Sequence, residues 1–176
     1  LRFVRRLYPM RVFGLTAGAL AVGSVLYQNG ASPLAWLLLA ANALLWPHLA
    51  YQWARSAADP TQAERRNLVL DSAFGGAWIA AMSLNLMPSA VLLTMLSMDK
   101  VAAGGWPLLA RGWLVMLAAF AIVWALLGFP VQATTPMPVI LWTLPLLVGY
   151  PLVLSLATWR LGQAVLRQNR QLEQHN

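Results

Sequence analysis

The 176-residue chain is 60% hydrophobic and only 10% charged, and its mean hydropathy is positive. That is more apolar surface than one small soluble core could bury, so the surplus must face lipid. Its net charge of +7 comes from basic residues set between long apolar runs, which excludes nucleic acid as a partner, and the absence of cysteine excludes disulfides, thiolate metal sites and a cysteine nucleophile.

In chain order, residues 1–9 read as a cytoplasmic juxtamembrane segment that opens at Leu1 and carries Arg2, Arg5 and Arg6. This opening reads as that of a chain trimmed from something longer. Apolar runs long enough to cross a bilayer follow at 10–28, 33–53, 67–87, 88–105, 112–128 and 138–159. The expected fold is therefore an all-α integral membrane protein with six transmembrane helices. A tight turn at Pro88 is expected between the third and fourth spans. Residues 160–176 read as a cytoplasmic helical linker beyond the 10–159 membrane domain.

Connections near 29–32, 87–89 and 129–137 would share one side of the membrane, and they contain no Lys or Arg. All twelve basic residues lie on the other side, from Arg2 to Arg11, at Arg55, Arg65 and Arg66, at Lys100 and Arg111, and from Arg160 to Arg170. The positive-inside rule then places both termini in the cytoplasm of a multi-pass protein. The longest outer connection is too short to fold as a receptor domain for a soluble ligand.

Ionisable groups within spans are costly and mark candidate sites. Arg11, His48, Asp71, Asp99 and Lys100 fall at similar depth on four different spans, with Asn67 and Trp46 close by in sequence. Together they form a polar layer in which Asp71 could pair with Arg11 or Lys100 and His48 could donate to a carboxylate. Such a layer is either glue between helices or a ligand or proton site. A haem normally needs a second histidine, and the other one here is His175 in the polar tail, so no metal or cofactor is expected. No HExxH, CxxC, GxSxG or phosphate-binding loop occurs, so no catalytic residue is expected either. The alternative of a small transporter or channel requires polar groups through the full membrane thickness, and the outer halves of the spans offer little beyond Gln28 and Asn85.

Small residues at Gly14 and Gly18, and at Ser72, Gly76 and Ala80, would let helices approach closely within one chain or between chains. Trp36, Trp53, Trp106, Trp113 and Trp159 read as interface anchors. In the last span Pro145, Gly149 and Pro151 form a candidate hinge. Beyond it, Leu161, Val165, Gln168 and Leu172 continue at 4, 3, 4 spacing, like the start of a coiled coil.

Several stretches together resemble a known family. They are RFVRR before YPMR, WPHLAYQWA from Trp46, the Asp59–Pro60 pair, ERRNLVLD from Glu64, GGAW from Gly75, NLMPS from Asn85 and MDKVAAGG from Met98. In this order and spacing they resemble the second class of membrane-associated sensor (MASE) domain, found at the N-terminus of bacterial diguanylate cyclases and some class III adenylate cyclases. The resemblance implies a non-catalytic sensor or anchor whose last helix leads into a cyclase domain in cis. It also implies a homodimer, since both cyclase types build their active site between chains. Neither a GGDEF signature nor cyclase metal-binding aspartates occur in the chain.

Overall fold

The computed structural model describes all 176 residues, and they form helices joined by short connections, with no strand. Helix α1 is Arg2–Gln28, so the expected juxtamembrane segment and first span are one continuous helix. Ser32 caps the next rod, accepting from the Ala35 amide at 3.4 Å, with Pro33 in the first helical position. That rod comprises α2 (Pro33–Ala40), a π-helical turn (Ala41–Leu45) and α3 (Trp46–Ser56). The π turn has a local cause: Pro47 has no N–H for the Ala43 carbonyl, and its ring would strike that carbonyl in a regular α-helix.

Asp59 caps α4 (Pro60–Ala81), accepting from the Gln62 amide at 3.2 Å. The chain then turns at 82–85, where Ser83 and Leu84 have φ of 56° and 60°. The turn therefore precedes Pro88, which lies in the first turn of α5 (Leu86–Leu126), where a missing N–H costs nothing. Helix α5 is not one straight rod. Gly105 interrupts it at φ 65°, ψ −156°, and the Trp113 indole donates to the Ser97 hydroxyl at 2.9 Å. Sixteen residues of straight helix would hold those two about 24 Å apart, so the chain folds back at Gly105. A glycine suits this position because the left-handed φ carries no Cβ penalty there. The reversal therefore needs none of the 106–111 connection expected between the fourth and fifth spans. Helix α6 is Met137–His175 and continues unbroken through Pro145, Gly149 and Pro151.

Six helical rods result, and α4 lies at their centre against both halves of α5. Gly75 faces Leu96, and a Cβ at Gly76 would strike the backbone carbonyl of Met116. Gly14 and Gly18 likewise pack within the chain. Gly14 lies under the Tyr150 ring of α6, and Gly18 faces Leu92. Gly149 returns the contact from α6, under the Phe13 ring.

The exterior is apolar, unlike that of a soluble protein, and the largely apolar interior encloses a polar layer. Arg11, Glu64, Asn67, Asp71, Ser72 and Lys100 are buried, while Leu34, Leu37, Leu44, Leu114, Leu117 and Leu141 face outward. Four helical stretches are long and apolar enough to cross a membrane: Arg2–Gln28, Pro33–Ser56, Leu86–Leu126 and Met137–His175. The chain is thus helical with a lipid-facing exterior, as its composition requires. Helix α4 is excluded from the four by its own polar residues, Glu64 to Asn67 and Asp71.

Candidate functional site

The polar layer lies at the arginine-bearing end of the bundle and is assembled by helices distant in sequence. Arg11 of α1 is 7% exposed. Its Nε donates to Asp71 Oδ2 at 3.0 Å, and its Nη1 forms an ion pair with Glu64. The second oxygen of Asp71 accepts from the Trp46 indole N–H at 2.6 Å. One α4 carboxylate thereby joins α1 to the start of α3. Asn67, between the two acids on α4, donates to the Ala50 carbonyl at 3.0 Å and fastens α4 to α3 a second time.

The other half of the layer joins α5 to α6. The Tyr150 hydroxyl donates to Asp99, beside the contact Tyr150 makes with Gly14. Lys100 is 1% exposed, and its ammonium has no hydrogen-bond partner. A Cβ at Gly112 would lie 3.1 Å from the Lys100 Cγ and 3.1 Å from the Ser72 hydroxyl, so the glycine makes room for the lysine stem. No carboxylate lies within ion-pair distance of Lys100, since both ion pairs of the chain belong to Arg11. Asp71 therefore takes Arg11 as its direct partner, not Lys100.

His48 stands apart from the carboxylates. Its Nδ1 hydrogen-bonds the Tyr8 hydroxyl at 2.5 Å, the Tyr8 ring packs on Tyr51 at 4.4 Å, and the Arg55 guanidinium lies over Tyr51 at 5.7 Å. This is an exposed aromatic cluster, and the expected donation from His48 to a carboxylate is absent. A π turn in the preceding residues rotates Trp46 toward Asp71 and leaves His48 outside.

Directly beyond the layer is a cavity of about 90 Å³ among the helices. Arg11, Asp71, Asp99 and Tyr150 line its polar end, and Gly18, Val22, Phe74, Trp78 and Leu92 line its apolar walls. Asn42, in the π turn, also lines it, and its side-chain oxygen is buried without a partner. Chemically, the arrangement offers a guanidinium N–H, a free amide oxygen and an apolar chamber. It includes no group of three or more His, Asp or Glu side chains that would hold a metal ion.

The sequence reading missed Glu64, Tyr150, Tyr8 and Asn42. Glu64 had a signal, since Glu64, Asn67 and Asp71 follow the i, i+3, i+7 spacing of one helix face. Placing the start of the third span at 67 cut that stripe in two. Tyr150 and Tyr8 are single aromatics whose partners lie 51 and 40 residues away, and nothing local marks them.

Residues 6–94 match the MASE2 domain. The chain belongs to the MASE2 family. That match runs from within α1 through α4 into the start of α5, taking in Arg11, Glu64 and Asp71, and it ends ahead of Asp99 and Lys100. Similarity to whole proteins runs further. The DgcC protein of Escherichia coli strain K12, a "probable diguanylate cyclase", is 32% identical over 174 residues, which are 98% of this chain and 47% of the relative. DgcC of Escherichia coli O6:H1, strain CFT073, matches to the same extent. The MASE2 chain thus spans about half the length of the curated relatives it matches. No solved structure matches it.

Proposed function

We propose that this chain is the membrane sensor and anchor of a diguanylate cyclase, joined in cis through α6 to a C-terminal catalytic domain. The observation that carries the reading is the extent of the similarity: nearly all of this chain aligns with about half of DgcC. The other half of such a protein is where a catalytic domain belongs. The relatives favour cyclic di-GMP over cAMP as the product.

In this reading the six rods cross the inner membrane with both termini in the cytoplasm, because all arginines and Lys100 gather at one end. Two copies come together so that their catalytic domains meet, with the exposed seam of Leu161, Val165 and Leu172 along the exit helices. The polar layer divides the work. Arg11, Glu64, Asp71, Asn67 and Trp46 lock α1, α3 and α4 into a fixed block. Asp99 and Tyr150 tie α6 to α5, and the Tyr150 ring rests on Gly14 of α1, so a ligand entering the adjacent cavity would act on the helix that reaches the catalytic domain. Pro145, Gly149 and Pro151 are the hinge through which such a change would pass in this reading.

The deciding experiment measures cyclase output of the full-length protein with its own membrane domain and with residues 1–160 replaced by an unrelated dimeric membrane anchor. The expected result is a difference that depends on growth condition and disappears with Asp99→Asn or Tyr150→Phe. Equal output under every condition would overturn sensing and leave anchoring alone. Monomers only on cross-linking in membranes would overturn the paired arrangement.

A further inference from the structure

A second concave site lies on the outside of the bundle at the arginine-bearing end, between α3, α4 and the rod of α5 that follows Gly105. It is a groove of about 640 Å³ lined by Trp53, Arg65, Arg66, Leu70, Leu108 and Arg111, among others, within the usual range of small-molecule sites. Its three arginines are exposed, and none has a carboxylate within ion-pair distance, since both ion pairs of the chain belong to Arg11. Asp59 is the single carboxylate lining the groove, and it is turned onto its own helix, capping the Gln62 amide. The groove therefore carries an excess of positive charge, three guanidinium groups against one carboxylate, beside the apolar side chains of Leu70 and Leu108.

Its level along the helices is informative. Arg65 follows the start of α4 by five residues and Arg111 follows Gly105 by six, so both stand about 7 to 9 Å from the ends of their rods. That is roughly the thickness of one headgroup layer. The Trp53 side chain is 63% exposed at the rim of the groove, in the position of an interfacial anchor.

We infer that this groove is a binding site for an anionic phospholipid, with the phosphodiester held by Arg65, Arg66 and Arg111 and the glycerol region resting on Leu70, Leu108 and Trp53. Guanidinium forks match phosphate geometry, and the apolar side chains favour a lipid over a free phosphate, which has nothing to place there. The arginines of the exit helix, Arg160, Arg167 and Arg170, are equally exposed but line no such groove, so charge alone does not make the site. The inference is independent of the attached catalytic domain and of the direction of signalling.

The test is native mass spectrometry of the purified chain in an uncharged detergent, offered equal amounts of phosphatidylglycerol and phosphatidylethanolamine. The wild-type chain is expected to retain phosphatidylglycerol preferentially. R65Q/R66Q/R111Q should lose that preference and R160Q/R167Q/R170Q should keep it. R111Q alone should reduce the preference roughly fivefold, the order expected for one basic residue at a membrane surface, with helix content unchanged by circular dichroism; this single variant decides the matter if the triple variant does not fold. Equal retention of the two lipids by wild type would overturn the inference, as would loss of preference in the exit-helix variant. Displacement of phosphatidylglycerol by millimolar inorganic phosphate would overturn the assignment to lipid in favour of a free phosphate site.

Discussion

The two ends of the bundle are held together by different chemistry. At the arginine-bearing end the fasteners are charged side chains reaching between helices, with Arg11 shared by Asp71 and Glu64. At the opposite end they are neutral and come largely from the backbone. The connection between α5 and α6 lies across the 82–85 turn, where the Gln132 amide donates to the Ser83 carbonyl at 2.7 Å and the Leu86 amide to the Ala133 carbonyl at 3.0 Å. Thr135 donates to the Asn85 side chain at 2.6 Å and accepts from the Met87 amide at 3.2 Å, and the Trp124 indole caps the Pro130 carbonyl at 2.9 Å. The left-handed residues Ser83, Leu84 and Phe129 are tolerated because these bonds over-determine the turn. A clasp of this kind fixes the N-terminal end of α6 by short-range geometry. A charged layer acts over longer distances, and adding or removing one charge disturbs all its members. The end expected to respond to a ligand is therefore the charged one, and the clasp is the fixed point against which α6 would move.

The largest effect that would break this contrast is at Arg11. Arg11→Leu leaves Glu64 and Asp71 buried without their counter-charge, at an expected cost of about 3–5 kcal/mol. Thermal unfolding in detergent should show this as the steepest fall of the set, and adding Glu64→Gln with Asp71→Asn should recover much of it. No fall with Arg11→Leu would mean the layer is not what holds that end. Asn85→Ala, at the clasp, removes a neutral acceptor and should cost about 1–2 kcal/mol, with hydrogen exchange rising at the amides of residues 129–136 and not at the other end. Exchange spreading to the whole chain would show that the two ends are not separable. Smallest is Tyr8→Phe, which removes an exposed bond to His48 and should change stability by about 0.5 kcal/mol or less; a larger loss would bring the aromatic cluster into the load shared by the charged layer.

Several features were legible in the sequence because they depend on local pattern. The apolar runs, the depth of Arg11, Asp71, Asp99 and Lys100, and the small faces at Gly14 and Gly76 all follow from spacing along one helix. Boundaries were less legible. The turn assigned to Pro88 lies at 82–85, and the reversal expected over 106–111 takes place at Gly105. Proline in the first turn of a helix looks the same in sequence as proline in a loop, and a left-handed leucine leaves no mark at all. Within the layer, Trp46 and Asn67 proved to be fasteners of α3 to α4, while His48 went to Tyr8.

Composition and run length by themselves determined that this chain must turn apolar surface to lipid and polar residues inward, because no soluble core of this size could do otherwise. The identity of the ionisable residues was also fixed at that level. Which of them meet was decided only by tertiary packing. Arg11 finds Asp71 sixty residues away because α1 and α4 pack close enough for it, while Lys100 is kept from a direct partner by its position over Gly112. Pairing depends on interhelical distance and on the rotation of each helix about its axis: the π turn before Pro47 bears on Trp46, and the reversal at Gly105 returns the second rod of α5 to α4. Neither quantity is encoded in the spacing of residues along a single helix.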